Sequence, residues 1–361
     1  MNARVEKFID SLYIAWAIAS KDILDVLKNW STLINLIVII GLVVFFYWAS
    51  TVRPWDKRME VTVYDESNNG LTDLPTELND GYSFVFTEAD SLEDLQRKVR
   101  YEALGVVIPP NFEQILASGG EPAITGYILW AFRGQVAELE TLYSEKFSEL
   151  LGQPVNVQIG ENFIIPDPYV DTSTVNFHIL FATLFIAINL VPALMMEEKR
   201  TKTLDALLVS PASEGQVVLG KALAGLFYVL LAGVVFFSLY NVYVTNWALA
   251  LFAYLLCALF SIGLALALGS LVQSQQHMMF WMVPIIFLLI VPSFFAGEPF
   301  LAPGLKAVIA WLPTTALVKI YGFALSSHTP ADQFLFSLTV VVARITLLFG
   351  IVVWKIRQSD T

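Results

Sequence analysis

Residues 195–226, "MMEEKRTKTLDALLVSPASEGQVVLGKALAGL", break a very apolar chain in a particular way. A long apolar run ends at Met196, and two acids and three bases follow within six residues. A short amphipathic piece, a Ser-Pro and a Gly-Lys come next, and from Ala222 to Gly297 no Asp, Glu, Lys or Arg occurs over 76 residues. A charged, turn-punctuated segment between stretches of this length reads as a loop between membrane spans.

The rest of the chain fits that reading. Only 15% of its 361 residues are charged, against about 25% in soluble domains, and mean hydropathy is +0.64. The apolar residues lie in blocks. Ser31–Val52 and Thr172–Met196 are also uncharged. A helical span needs about 20 apolar residues, so these two blocks hold one span each. The 76-residue block holds three, separated by "NVYVTNW" (Asn241 to Trp247) and "QSQQH" (Gln273 to His277). A last span falls between Phe334 and Trp354. The expectation is a polytopic α-helical membrane protein with six transmembrane helices near 32–50, 173–196, 222–243, 247–272, 278–296 and 334–354, a loop at 197–221, an opposite loop at 297–333 and a tail at 355–361. "FLAPGLKAVIAWLPTTALVKIYGFAL" (residues 300–325) is apolar enough to dip into the bilayer as well. The run that opens the first span follows about thirty residues of mixed charge, which is unlike a cleaved signal peptide. Cys257 is the single cysteine and falls inside a predicted span, so cysteine usage says nothing about the compartment.

Residues 1–31 carry their own helical stripe of Val5, Phe8, Ile9, Leu12, Trp16, Ile23, Leu27 and Trp30. Lys7, Asp10, Lys21, Asp22, Asp25 and Lys28 lie mostly off it. This suits a helix in the membrane interface ahead of the first span, or a soluble helix packed on a partner.

Residues 51–172 form the one large polar region. It holds 8 Lys and Arg against 21 Asp and Glu, a net charge of −13. "MEVTVYD", "YSFVFT", "LGVVIP" and "PAITGYILW" read as strands. "SLEDLQRKVRYE" reads as a helix with Ser91 as N-cap and Asp94 completing a capping box. "NFEQILASGG" and "FRGQVAELETLYSEKFSELLG" read as helices closed by glycine. Strands alternating with helices predict a small α/β domain between the first and second spans.

Basic residues near span ends favour the cytoplasm. Ten of them (Arg4, Lys7, Lys21, Lys28, Lys199, Arg200, Lys202, Lys221, Lys355 and Arg357) fall on the side of both termini and the 197–221 loop. Only Lys306 and Lys319 mark the short loop opposite, although Arg53, Lys57 and Arg58 argue mildly the other way. The termini and the 197–221 loop are thus expected inside a plasma membrane, and residues 51–172 outside it.

Chemistry-bearing motifs are few. Gly215 to Lys221 fits GxxxxGK, but a phosphate-binding loop needs Ser or Thr next and a strand before it. Ala222 follows instead, and nothing upstream reads as a strand. His178, His277 and His328 fall on different sides of the membrane, so no metal cluster is expected. No catalytic residue is expected either. Arg344, in the middle of the last span, is costly there and reads as functional, or as an arginine tied to backbone carbonyls. Asn189 and Pro192 in the second span suit a translocation path or ordinary helix–helix contacts.

Within the loop, Leu204, Leu207 and Leu208 share one helical face, the mark of a membrane-surface helix or of one docked in a partner's groove. Glu197, Glu198, Lys199, Arg200, Thr203, Leu204, Leu207, Leu208, Ser210, Pro211, Gly220 and Lys221 together resemble the signature loop of type-2 ABC exporter permeases. The layout resembles theirs too, and "LGVVIPPNFEQILASGG" resembles the outer domain of the drug- and sodium-export branches. The resemblance implies a non-catalytic permease whose loop, over 197–211, carries a coupling helix for a separate ABC ATPase subunit. It also implies two ATPases, which hold the ATP and magnesium, beneath two permease chains, identical or sisters. This chain would itself bind no cofactor and no nucleic acid, only the lipid bilayer and these subunits. A receptor or sensor with an outer binding domain is the alternative. It requires a sizeable inner signalling domain, and about seven residues follow the last span. A membrane-embedded transferase or protease would need paired carboxylates or histidines at one depth, and no acid falls within any predicted span.

Overall fold

Long apolar runs free of charge leave their backbone polar groups one solution in a bilayer, the helix. The computed structural model describes residues 3–51, 58–66, 78, 81–99, 104–164, 173–201, 213–272, 275–295, 302–326 and 329–359. Met1–Thr51 and Pro168–Thr361 form one unit, and Val52–Asp167 a second.

The first unit is helical. It begins with α1 (Ala3–Lys28) and α2 (Trp30–Thr51), which meet at 88°. The second unit contributes α3, α4 and α5, given below. The helices then resume with α6 (Ser173–Thr201), α7 (Glu214–Tyr240), α8 (Trp247–Leu271), α9 (Gln275–Phe295), α10 (Pro303–Ile309), α11 (Pro313–Ala324) and α12 (Ala331–Ser359). By length and composition, four described helices suffice to cross a membrane: His178–Met196, Gly215–Tyr243, Trp247–Leu271 and Ala331–Lys355. The bent pairs α1–α2 and α10–α11, the latter at 91°, raise the count to as many as six if each is one span. In α9, expected as the fifth span, the apolar stretch is only Phe280–Ser293, and the helix contains Pro284 and Pro292.

Three differences from the expected boundaries matter for function. Helix α6 runs on to Thr201 and α7 starts at Glu214, so both ends of the expected 197–221 loop are helical. Residues 202–212 lie outside the described residues. The expected outer loop 297–333 holds α10 and α11, and most of α11 is buried. Thr314 Oγ1 ties α11 to the Leu289 carbonyl of α9. The core of this unit centres on α8, with Ala253, Cys257, Ala258, Ile262, Ala265 and Leu266 fully buried. Small residues there let neighbouring helices come close. At Gly269, an added Cβ would sit 3.1 Å from Pro192 Cα of α6.

The second unit is a mixed sheet of order β2-β1-β3-β4-β5, with β6 on β4. Its strands are β1 (Arg58–Asp65), β2 (Ser83–Glu88), β3 (Leu104–Ile108), β4 (Ala123–Leu129), β5 (Asn156–Gln158) and β6 (Phe163–Ile164). Strand β1 is parallel to both β2 and β3, while β3 and β4 are antiparallel. The first four are the strands read from the sequence. Strands β5 and β6 were not, because three and two residues show no alternation. The unit's helices are α3 (Leu92–Lys98), α4 (Phe112–Ala117) and α5 (Val136–Leu151). Helix α5 closes at Gly152, whose φ of 68° suits glycine. Helix α3 stops at Lys98, short of the expected end. Ser91 caps it by accepting from the Asp94 amide at 3.1 Å, but the Asp94 carboxylate accepts from the Asp90 amide, not that of Ser91.

Candidate functional site

Helix α7 has 27 residues, about 40 Å at 1.5 Å per residue, while a hydrocarbon core is about 30 Å thick. The surplus is roughly two turns, and the charged residues of α7, Glu214 and Lys221, both lie in its first turns. Ser213 opens α7 with a capping box, in which the Gln216 side chain accepts from the Ser213 amide at 2.7 Å. The same Gln216 donates through Nε2 to Ser11 Oγ of α1 at 3.0 Å.

From there α1 runs along α7. Gly220 is the closest approach: a Cβ built on it would lie 2.7 Å from Ile18 Cβ and 2.9 Å from the Ala15 carbonyl oxygen. Lys221 Nζ meets Asp22 Oδ2 at 3.3 Å, with the two side chains 1% and 4% exposed. Four residues past Ala224, Tyr228 donates through its hydroxyl to the Ile23 carbonyl at 2.6 Å. The bonds Ser11–Gln216 and Ile23–Tyr228 both join residues 205 apart, so the helices run in the same direction with no slip between them. Gln216, Gly220, Ala224 and Tyr228 are spaced by four, one face of α7.

This docking adds a second face to α1. Its buried face is Ala15, Ile18, Ala19, Asp22 and Val26, roughly 100° around the helix from the large apolar stripe, at 100° per residue. The stripe itself is open: Leu12 is 43% exposed, Trp16 58%, Leu27 50% and Trp30 75%. Asp22, which the sequence placed off the stripe, is 3% exposed. The sequence signal was present in Ala15, Ala19 and Asp22 on one flank, small residues at helical spacing with a single charge. Two faces on one helix, one for α7 and one apolar and outward, suit a helix beside a membrane.

Gly220 and Lys221, expected in a coupling loop, are therefore buried in the α1–α7 contact. The GxxxxGK spacing lies wholly in the first turns of α7, where Lys221 is held by Asp22. Glu197, Glu198, Lys199 and Arg200 fall on the last turn of α6. Thr203, Leu204, Leu207, Leu208, Ser210 and Pro211 lie outside the described residues.

Of the expected path residues, Asn189 and Pro192 are on α6 and Arg344 is on α12. Asn189 is half-buried, and its Nδ2 donates to the Phe185 carbonyl one turn back at 2.8 Å. Pro192 is buried against Gly269 of α8, a contact within the bundle. Arg344 is exposed in the middle of α12, and it has no ion pair or hydrogen bond among the described residues. At the far end of α6 and α7, His178 Nδ1 and the Tyr240 hydroxyl lie 2.8 Å apart. The Tyr240 ring stacks on Phe236 and meets Tyr47 of α2 edge-on, a cluster with no sequence signal. The described residues contain no group of His, Cys, Asp or Glu able to hold a metal.

A profile of the ABC-2 family transporter proteins matches residues 29–354. That covers nine-tenths of the chain, from the start of α2 to the end of the apolar part of α12, so the chain belongs to this family of ABC transporter permeases. No curated protein matches its sequence.

Proposed function

We propose that this chain is the permease subunit of an ATP-binding-cassette exporter. It crosses the plasma membrane six times, with residues 51–172 outside and the 202–213 loop inside, and it pairs with a second permease chain. A separate ATPase, one per permease, docks on residues 197–211 and supplies the energy. The substrate, a drug, lipid, peptide or ion, leaves the cytoplasm. The observation that carries the reading is the family match over residues 29–354, in a chain whose only phosphate-loop-like spacing is built into a helix. Energy must then enter from outside the chain, and the charged break between α6 and α7 is the place that offers a grip.

Arg344 supports a shared path. A guanidinium in mid-span is expensive in hydrocarbon, it points away from its own bundle, and no predicted span carries an acid to pair with it. It therefore lines a water-filled path between the two permease chains.

The test is co-purification and ATP turnover of the reconstituted complex. Truncating a buried leucine at a hot spot costs about 2 kcal/mol or more, which is roughly thirtyfold in affinity. Leu207→Ala with Glu198→Ala is expected to release the ATPase from a permease that still inserts. Wild-type ATPase binding and turnover in that double variant would refute the docking site.

A further inference from the structure

We propose that α1 and the first turns of α7 move as one rigid body, with Asp22 and Lys221 as the positioning residues that fix their axial register. Force that enters α7 from the 202–213 loop is thereby carried to α1. The transmission of force rests on the exporter reading; the rigid body does not.

The contact has two parts with different jobs. Ala15, Ala19 and Gly220 bring the backbones together, with an added Cβ at Gly220 only 2.7 Å from Ile18 Cβ. The step by which packed helices ratchet is one helical turn, about 5.4 Å, and here it would set Ile18 against Gln216 or Ala224, which carry the Cβ that Gly220 lacks. The charges add a second penalty. Lys221 and Asp22 are 1% and 4% exposed and 3.3 Å apart, and a slip of one turn would pull this buried pair apart. Buried pairs are poor sources of stability but good selectors of register. The hydrogen bonds at Gln216–Ser11 and Tyr228–Ile23 bracket the pair on both sides, so register is held at three levels. Lys221 also stands only seven residues beyond the start of α7. Any displacement of that start reaches the clamp before the helix enters the hydrocarbon.

The experiment follows disulfide formation between Ser11→Cys and Gln216→Cys in a Cys257→Ala background. In the permease alone, the disulfide is expected to form rapidly. With Asp22→Asn or Lys221→Met its rate falls at least tenfold, and the exchange Asp22→Lys with Lys221→Asp recovers most of it. An unchanged rate in both single variants overturns the positioning role. Should one single variant fail to insert, the other and the exchange decide. In the complex with its ATPase, the rate is expected to be the same without nucleotide and with ATP trapped by vanadate. A severalfold fall on trapping would show that α1 slides on α7 and overturn the rigid body. Failure of the ATPase to bind at all would count against the docking site, and would leave the result in the permease alone to stand or fall by itself.

Discussion

Two glycines of α7 predict opposite outcomes for the same substitution. In a helix interior, Gly→Ala is favourable by about 1 kcal/mol through propensity alone. At Gly215 an added Cβ meets nothing within 4 Å, so Gly215→Ala is expected to be neutral or stabilising by up to that amount. At Gly220 the Cβ would stand 2.7 and 2.8 Å from Ile18 Cβ and Cγ2 and 2.9 Å from the Ala15 carbonyl. Carbon contacts are optimal near 3.5–4.0 Å, so the helices must part by roughly 1 Å. Overpacking of this kind costs about 1–3 kcal/mol. The same displacement stretches the Lys221–Asp22 pair beyond its 3.3 Å, and losing a buried pair outright costs about 3–5 kcal/mol. Even after the propensity gain, Gly220→Ala should destabilise by about 1–3 kcal/mol. The assay is the apparent Tm of the purified permease, by tryptophan fluorescence in detergent, for both variants side by side. If Gly220→Ala melts at or above the wild-type temperature, the close approach of α1 to α7 is wrong, and the clamp with it.

Arg344→Leu should insert and bind the ATPase normally yet lose export, while Arg344→Lys keeps much of it; full export by the leucine variant would show the charge to be dispensable. In the second unit, Lys98 and Arg97 lie 2.6 and 2.7 Å from Asp94 and hold its carboxyl well below the usual carboxylate range, Lys98 foremost. A depressed folded pKa adds stability that is fully present above the unfolded value, about 4, and is lost as pH falls below it. The protection factors of the α3 amides, with the intrinsic pH dependence of exchange divided out, should therefore fall at acid pH in the wild type and change less in Asp94→Asn; an equal response in both would refute the assignment. For topology, single cysteines at Glu121 and Gln358 in Cys257→Ala should react with an impermeant maleimide in intact cells at the first position only, and the reverse pattern would invert the membrane orientation.

The class of the chain was legible because hydrocarbon imposes one solution on a long uncharged run, and Ala222–Gly297 has no alternative to helices. The ends of the helices were not legible. Charge marks where a chain leaves hydrocarbon, not where a helix stops, so Lys221 was read as a loop residue although α7 begins at Glu214. The apolar span read to Met196 does end there, while helix α6 continues to Thr201. The burial of Asp22 was not legible for a related cause. Periodicity assigns a helix one apolar face, and the large residues Leu12, Trp16, Leu27 and Trp30 claim it. The face that packs on α7 is made of Ala15, Ala19 and a charge, and that charge meets Lys221 from 199 residues away.

That overshoot changes what the charged break can do. A loop of 25 residues between two membrane edges would transmit little, since each unfixed residue absorbs displacement. With α6 helical to Thr201 and α7 helical from Glu214, only residues 202–213 separate two rigid stalks. The acids Glu197 and Glu198, expected at the start of the docking surface, are already on one stalk. The other stalk is braced by α1 through Gly220, Lys221 and Tyr228. A partner that grips Leu204 and Leu207 would then pull on two helices and a brace together. Of the dozen residues that resembled a single coupling motif, Gly220 and Lys221 lie in the α1–α7 contact. Under the proposal they stiffen the lever, and residues 197–211 are the place where it is pushed. The two tasks are separable by experiment: substitutions in the second group should release the ATPase, and substitutions in the first should leave it bound but slacken the register of α1.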